Sequence, residues 1–312
     1  MKVSLVATVK DAGPAISEFL ASVRGQTRQP DEVVVVDGGS TDGTLEVLRN
    51  AEGVVAISQP GANISRGRNL AVRTATAEVL AVSDADCVLA PDWLEALLGP
   101  IERGADVSAG FYRPIATSLL EHCAAAVSVP ERDELREGWM PSARSIAFRR
   151  ETFEQAGGYP EWLDVGEDMF LNHRMVAAGA RIALAPEAVA FWRVRPTLSA
   201  TWRQYARYAE GDAIAGMYPH RHLLRFGVYG LLFGALASRR PWLLAATAAG
   251  SIAYARTPIR RVLRRTPSGF TERWQAIAAV PPMMAFVDAA KMWGYLRGLS
   301  KRGRYSAGIR TG

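Results

Sequence analysis

Two carboxylates that stand two positions apart, directly after an apolar run, suggest a metal site. The run is Val79–Ser83, and Asp84-Ala85-Asp86 follows it. Because the run predicts a buried strand, both acids would lie just past its end, where they can face one hard cation. Mg²⁺ prefers one or two carboxylates together with the oxygens of a substrate phosphate. The pattern therefore favours a site for Mg²⁺ or Mn²⁺ that neutralises a diphosphate, and a solvated turn is the competing interpretation.

A glycine-rich segment follows another apolar run. Glu32–Val36 ends in Asp37, and the sequence from there to Gly43 reads DGGSTDG. Since glycines permit close approach of a ligand to the backbone, we predict that Asp37 accepts hydrogen bonds from a nucleotide base or ribose. We predict that Asp42 instead caps the helix that follows.

Basic residues surround a glycine in the segment GANISRGRN, residues 61–69. The guanidinium group suits a diphosphate because its fork is bidentate and always charged. We therefore predict that Arg68, beside Asn69 at the start of a helix, binds the diphosphate. A surface loop with ordinary basic residues is the alternative.

Gly166-Glu167-Asp168 opens a later helix. Acids in a first helical turn are ordinary partners of the helix dipole. Sugar transfer, however, passes through an oxocarbenium-like state in which the acceptor hydroxyl must lose a proton, and a carboxylate can take it. Because these acids occur together with the upstream Asp84-Ala85-Asp86, we favour the catalytic interpretation. Trp192 could stack on a sugar or lipid, although such aromatic residues more often pack a core.

Strand and helix patterns alternate with short loops along the first half of the chain. This alternation predicts an α/β fold with a parallel, Rossmann-like sheet flanked by helices. In such sheets, ligands bind outside the carboxyl ends of the strands, where Asp37 and Asp84-Ala85-Asp86 would lie. The predicted strands are Val3–Val9, Glu32–Val36, Val54–Ser58, Val79–Ser83, Ala143–Phe148, Arg181–Ala183 and Val189–Phe191. The predicted helices are Ala15–Val23, Thr44–Leu48, Arg68–Thr74, Glu151–Ala156 and Glu167–Ala178.

Four segments in this order resemble the family 2 glycosyltransferases of the GT-A fold. They read VVVVDGGSTDGT, ISRGRNLA, VLAVSDADC and the long run that begins PSARSIAFRR and includes GEDMF. The resemblance covers residues 3–212. It implies an inverting, metal-dependent transfer of a sugar from a UDP, GDP or dTDP sugar to an acceptor hydroxyl on a lipid-linked or cell-surface glycan.

The resemblance also implies roles for single residues. The nucleotide would be held by Thr8, Val9 and Asp37. Asp84 and Asp86 would flank the metal–diphosphate site, with Asp86 as the direct ligand, while Asp168 would be the catalytic base and Glu167 would shape the acceptor side. Two segments depart from the family pattern. Thr8-Val9-Lys10-Asp11 replaces a Pro-Thr-Tyr-Asn-like loop, and Trp192-Arg193-Val194-Arg195 stands where many members carry a histidine, so that Arg193 or Arg195 could bind phosphate there instead.

The charge of the chain changes sign near residue 215. The net charge is +6, yet residues 216–312 hold 16 basic and two acidic residues, a net charge of +14, which leaves −8 for residues 1–215. This division predicts an acidic catalytic domain over 1–215 and a basic helical region over 216–312 that seeks phosphates.

The basic region also contains apolar runs, Leu223–Ala237 and Trp242–Ala255. Each is shorter than the ~20 residues that a spanning helix needs. We therefore predict interfacial or re-entrant helices at the cytoplasmic face of the cell membrane, with an anionic membrane surface rather than nucleic acid as partner. A soluble helical subdomain or a dimer interface is the alternative. The two cysteines are too few for a disulfide framework, and no secretory signal peptide is evident at the N-terminus.

Two other functions are compatible with these motifs. A sugar nucleotidylyltransferase also uses a nucleotide-binding sheet and acidic metal ligands, but it would need a glycine-rich loop with basic residues after the first strand. A non-catalytic, membrane-bound protein that binds sugar nucleotides is the second alternative, and the intact Asp84, Asp86 and Asp168 argue against it.

Overall fold

The computed structural model describes residues 1–265 and 270–305, and the chain divides into two compact units. The first unit comprises residues 1–115 and 132–193. The second comprises residues 116–131 and, within the described part of the chain, 194–305. A catalytic domain that ends at residue 215 stays a prediction, because these units are defined by geometry and not by activity.

An eight-stranded sheet forms the centre of the first unit. Its spatial order is β3-β2-β1-β4-β7-β6-β8-β5. The strands are β1 (Val3–Val9), β2 (Glu32–Asp37), β3 (Val54–Ser58), β4 (Val79–Val82), β5 (Cys87–Leu89), β6 (Val107–Ile115), β7 (Ile146–Arg149) and β8 (Ile182–Arg193). The prediction of a parallel sheet is confirmed for β1 to β4. The other strands make the sheet mixed, since β7 runs antiparallel to both β4 and β6, and β5 runs antiparallel to β8.

The helices of the described residues fall into both units. They are α1 (Ala15–Arg24), α2 (Thr44–Arg49), α3 (Ile64–Thr74), α4 (Trp93–Glu102), α5 (Leu119–Ser128), α6 (Arg150–Gln155), α7 (Glu167–Ala177), α8 (Leu198–Ala215), α9 (Pro219–Ser238), α10 (Pro241–Arg265) and α11 (Phe270–Lys301). Helix α3 begins four residues earlier than predicted, because the side chain of Asn63 caps it by accepting a hydrogen bond from the Arg66 amide at 3.0 Å. Arg68 consequently lies inside the helix and not at its start.

Apolar side chains of the central strands form the core of the first unit. Val6, Val34, Leu80 and Val82 are almost completely buried, and they belong to one cluster with residues of α3, α6 and α7. The rings of Phe148 and Phe153 stack in this cluster with centroids 5.3 Å apart. Burial of these side chains fixes the register of the sheet, so the strand ends that carry polar residues have defined positions.

Helices α5 and α8–α11 form the second unit. Polar side chains inside its apolar runs are paired within the unit. The buried carboxylate of Asp288 accepts hydrogen bonds from Arg225 Nε at 2.7 Å, from the Tyr229 hydroxyl at 3.1 Å and from the Tyr254 hydroxyl at 3.2 Å. A buried carboxylate requires such partners, so this part of the chain packs as a helical unit with a polar centre.

The location predicted for the chain, at the cytoplasmic face of the cell membrane and peripheral or re-entrant, is wrong. In the described part of the chain, no helix is both long enough and apolar enough to cross a membrane. The apolar run of α9 is interrupted by Arg225, which pairs with Asp288 inside the unit. The predicted anionic membrane partner rests on the charge pattern alone.

A glycine sets the distance between α3 and the sheet, and its replacement tests this packing. A Cβ atom at Gly67 would lie 2.7 Å from Thr8 Cγ2, so α3 or β1 would have to shift. We expect Gly67→Ala to lower the free energy of unfolding by about 1–3 kcal/mol, as overpacking does. The measurement is urea denaturation.

Gly99→Ala in α4 is the matched control, because its Cβ would meet only the flexible end of Arg103 at 3.2 Å. It should be neutral or should stabilise by up to ~1 kcal/mol. Equal effects of the two alanines would contradict the close contact of α3 with β1.

Candidate active site

The end of β4 carries the two acids that suggested a metal site. The strand ends at Val82, and Asp84 and Asp86 lie in the short connection to β5. Both side chains are partly accessible. Ser83 anchors this connection, because its hydroxyl donates to the carbonyl oxygen of Arg144 at 3.0 Å. The sheet therefore presents both carboxylates at one strand end, as the sequence predicts.

Arg68 is the centre of the site. Its side chain is 2% exposed, although it carries a full positive charge. One terminal nitrogen donates to Asp84 Oδ1 at 2.6 Å, and the other donates to Glu167 Oε1. These charge-assisted hydrogen bonds join the connection after β4 to the first turn of α7. The sequence thus placed Arg68 in the correct neighbourhood, but its terminal nitrogens are engaged by protein carboxylates.

Helix α3 is fastened to the segment before α7 by Asn69. Its side-chain oxygen accepts from the Tyr159 amide at 3.0 Å, and its side-chain nitrogen donates to the Tyr159 carbonyl at 2.9 Å. The ring of Tyr159 lies 5.3 Å from the guanidinium carbon of Arg68, within the range of a cation–π interaction. Asn69 therefore holds the segment that covers Arg68, and its predicted contact with the nucleotide stays untested.

The acids and Arg68 shift one another's pKa values. Burial alone would lower the pKa of Arg68, but Asp84 and Glu167 raise it above its usual value, so the guanidinium stays charged. Burial raises the pKa of Glu167 to about 7, and the opposing effect of Arg68 is smaller. Glu167 is buried, whereas Asp168 lies nearer to solvent.

Asp168 is positioned by backbone groups. Its Oδ2 accepts from the Ala143 amide at 3.2 Å, and its Oδ1 accepts from the Met169 amide at 2.8 Å. Gly166, with φ of +85°, turns the chain into α7 just before the two acids. Asn172, one turn later, donates to the Pro141 carbonyl at 2.6 Å and so holds α7 against the segment that contains Ala143. This arrangement orients a partly accessible carboxylate.

The predicted nucleotide residues meet at the ends of two neighbouring strands. Val9 ends β1 and pairs with Asp37 at the end of β2. Asp37 is completely buried, and its carboxylate accepts hydrogen bonds from the Gly39 amide at 2.9 Å, the Ser40 amide at 3.0 Å and the Ser40 hydroxyl. It therefore shapes the loop after β2, and its contact with a base or ribose stays a prediction, as do those of Thr8 and Val9.

The loop after β1 is tied to the loop after β2. Asp11 has φ of +49° and accepts from the Thr41 amide at 2.8 Å, while Ser40 accepts from the Asp11 amide at 2.8 Å. Asp42 accepts from the amide of Thr44, the first residue of α2, at 3.1 Å. These bonds explain how Thr8-Val9-Lys10-Asp11 forms an ordered edge without a proline. Asp42 thus bonds to the first residue of α2, although Gly43 occupies the capping position.

Arg144 is a residue of the site that the motif search did not single out. Its guanidinium carbon lies 4.5 Å from the ring centroid of Trp192 and 5.2 Å from that of Tyr112. Its Nε is 3.7 Å from Asp84 Oδ2. Trp192 is 4% exposed, so it is a wall of the site and offers little surface to a sugar. The available signal was the arginine in PSARS, which only the pairing of β7 with β4 brings to the acids.

The donor set suits a divalent cation that is shared with a substrate. Asp84, Glu167 and Asp168 lie around the guanidinium group of Arg68, and Arg144 lies beside Asp84. Within the described ranges, no group of three or more His, Cys, Asp or Glu residues could hold a metal alone. Mg²⁺ typically needs only one or two carboxylates when phosphate oxygens complete its shell, so the residues present fit a metal bound with a diphosphate.

Two family models match the sequence. Residues 4–121 match the family model described as glycosyl transferase family 2, and residues 135–290 match the model described as glycosyl transferase family group 2. An O-antigen chain rhamnosyltransferase of Salmonella typhimurium is 26% identical over 207 residues, which span 61% of this chain and 65% of the relative. An N-acetylglucosaminyl-diphospho-decaprenol L-rhamnosyltransferase of Mycobacterium tuberculosis is 27% identical over 228 residues, which span 59% of this chain and 73% of the relative.

Solved structures share the fold of this chain. A mannosyltransferase from Pyrobaculum calidifontis, in complex with GDP-Man and Mn²⁺, is similar with a TM-score of 0.56 and 19% sequence identity. The similarity covers 96% of this chain and 86% of that one. At this identity the likeness concerns the fold, which is the mixed α/β fold of GT-A glycosyltransferases.

Removal of the buried guanidinium tests the centre of the site. Arg68→Met should lower the free energy of unfolding by about 3–5 kcal/mol, because it leaves the buried Glu167 and the partly buried Asp84 without their partner. Urea denaturation is the measurement.

Arg66→Met, two residues earlier in the same helix, is the matched control. Arg66 is 62% exposed and lies 3.3 Å from Glu161, and such a surface pair contributes at most ~1 kcal/mol. If Arg68→Met costs no more than Arg66→Met, the two carboxylates do not depend on Arg68.

Proposed function

This chain belongs to family 2 of the glycosyltransferases, and on that premise we propose that it transfers a sugar, with inversion, from a nucleoside-diphosphate sugar to an acceptor hydroxyl. One observation carries the proposal. Arg68 connects Asp84, on the predicted donor side, with Glu167, next to the predicted base Asp168. The two groups of acids that the reaction needs are therefore held in one site within one unit of the chain.

The donor occupies the carboxyl ends of β1, β2 and β4 in this proposal. Thr8, Val9 and the loop that Asp37 shapes hold the nucleoside, because ligands of α/β sheets bind at this edge. Asp86 is the direct ligand of Mg²⁺ or Mn²⁺, and Asp84 assists it while it pairs with Arg68. The metal, when bound, neutralises the charge that develops on the departing diphosphate.

The transfer is a displacement at the anomeric carbon. The acceptor oxygen forms a bond to this carbon as the bond from the carbon to the diphosphate oxygen breaks, and the nucleoside diphosphate leaves with the electron pair. Asp168 accepts the proton of the acceptor hydroxyl as the new bond forms. The amides of Ala143 and Met169 orient its carboxylate for this step. Glu167 shapes the acceptor side through its bond to Arg68.

The acceptor in this proposal is a polysaccharide or a lipid-linked glycan. The names of the two rhamnosyltransferases described above refer to an O-antigen chain and to a diphospho-decaprenol acceptor, respectively. A direct test of the donor is a thermal-shift screen of UDP, GDP and dTDP sugars with and without Mn²⁺. A donor that binds the native state raises its melting temperature by mass action. A chain that responds to none of them would contradict the proposed function.

Removal of the predicted base separates chemistry from binding. Asp168→Asn keeps the shape of the side chain but cannot accept the proton, so we expect transfer to fall by roughly 10²–10⁴-fold with donor binding nearly unchanged. The measurement is turnover of the donor found in the screen, with calorimetric binding alongside.

Asp164→Asn serves as the control, because Asp164 is exposed and bonds only to Asn63 among the hydrogen bonds described for it, at 3.0 Å. It should leave turnover near that of the unaltered chain. Near-normal transfer by Asp168→Asn would remove Asp168 from the role of base.

The two acids after β4 should separate into a metal ligand and a structural partner. We expect Asp86→Asn to remove the part of donor binding that EDTA abolishes, with little effect on stability. Asp84→Asn should also lower stability, because it takes one of the two carboxylate partners from buried Arg68. The measurements are donor binding with and without EDTA and the melting temperature, for the unaltered chain and for both variants. Donor binding that is indifferent to EDTA in the unaltered chain would exclude a metal-dependent site.

A further inference from the structure

Arg144 lies at the donor side of the site, on the segment that also positions the base. The preceding amide, that of Ala143, donates to Asp168, and the carbonyl of Arg144 itself accepts from Ser83 at 3.0 Å. Ser83 directly follows β4, and Asp168 lies in the first turn of α7. The backbone at position 144 therefore has a defined place between the predicted metal ligands and the base.

Two aromatic rings hold the side chain of Arg144. Trp192 lies with its ring centroid 4.5 Å from the guanidinium carbon, and Tyr112 meets Trp192 edge to face, with centroids 6.3 Å apart at 87°. Trp192 in turn pairs with Cys87, the residue after Asp86, in the ladder between β5 and β8. Stacking on aromatic faces fixes the plane of an arginine side chain. Trp192, on β8, thus holds the guanidinium group of Arg144 beside Asp84.

The ion pair between Arg144 and Asp84 is looser than that of Arg68. The distance from Arg144 Nε to Asp84 Oδ2 is 3.7 Å, beyond a hydrogen bond, whereas Arg68 reaches Asp84 Oδ1 at 2.6 Å. The Arg144 side chain is also 15% exposed, against 2% for Arg68. Arg68 therefore serves the protein interior, while Arg144 lies within reach of a ligand at the strand end.

We propose that Arg144 binds the diphosphate of the donor and stabilises it as it leaves, and that Trp192 is the positioning residue that holds Arg144 there. The inference rests on the proposed function, because it concerns the same donor site. A planar guanidinium, donating two hydrogen bonds to phosphate oxygens, complements a metal whose protein ligands are few.

Two other arrangements at this strand end make different predictions. If Trp192 stacked on the sugar, its ring would need an open face, but it is 4% exposed and Arg144 lies over it. If Arg193 bound the phosphate, its pairing with Glu18 would have to break, since Arg193 Nη2 lies 2.5 Å from Glu18 Oε2. The roles of Arg144 and Arg193 in phosphate binding can be tested with one ligand.

Inorganic pyrophosphate is that ligand, because it presents the diphosphate without any choice of nucleoside or sugar. Its binding in the presence of MgCl₂ is measured by titration calorimetry on the full chain, with orthophosphate as the reference anion. Arg144→Gln should weaken pyrophosphate binding by about ten- to a hundredfold, and Arg144→Lys should lose part of it because lysine keeps the charge without the fork. Trp192→Leu should weaken binding as well, whereas Trp192→Phe should largely retain it. Arg193→Gln should match the unaltered chain.

Circular dichroism and melting temperature show which variants are folded. Pyrophosphate affinities are compared only among the folded variants. A purely structural Arg144 would lower the melting temperature and leave the pyrophosphate affinity of the folded protein unchanged, which would overturn the proposal. Loss of binding in Arg193→Gln but not in Arg144→Gln would also overturn it.

Donor turnover separates this inference from the proposed function. If the unaltered chain transfers sugar while Arg144→Gln and Arg144→Lys bind pyrophosphate normally, the function stands and the role of Arg144 fails. If the unaltered chain neither binds pyrophosphate with Mg²⁺ nor turns over a donor, both fail.

Discussion

The site depends on one charge that is buried in the protein interior. Arg68 could not remain 2% exposed without compensation, and the carboxylates that compensate it come from two distant parts of the chain, Asp84 and Glu167. The connection after β4 and the first turn of α7 must therefore both lie close to this guanidinium group. Glycine at position 67 allows the approach, since α3 can lie against β1 only without a side chain there.

Much of this arrangement was predictable because it depends on local patterns. The alternating runs give β1 to β4 with nearly correct bounds, and the acids after β4 and before α7 are recognisable by type and spacing. The pairing of Arg68 with Glu167 was not predictable, since 99 residues separate them. Likewise, Arg144 reaches Asp84 only because β7 pairs with β4, a long-range contact that no single segment encodes.

The predicted location was wrong because it rested on the composition of a segment and not on its packing. The basic and apolar character of residues 216–312 suggested a membrane location, but the structure pairs Arg225 with Asp288 inside a helical unit. Trp192 lies against the cation of Arg144, and its contact with a sugar stays a prediction. In both cases a side chain that looks available in the sequence is engaged by another part of the chain.

The coupling between Asp84 and Glu167 tests the central role of Arg68 most directly. The measurement is a double-mutant cycle of Asp84→Asn and Glu167→Gln, read as the free energy of unfolding, in the unaltered chain and again in the Arg68→Lys background. If Arg68 joins the two acids, the substitutions should be non-additive by about 0.5–3 kcal/mol in the unaltered chain, and this coupling should shrink when the guanidinium fork is replaced. Additive effects in the unaltered chain, or a coupling that is the same in both backgrounds, would contradict the account.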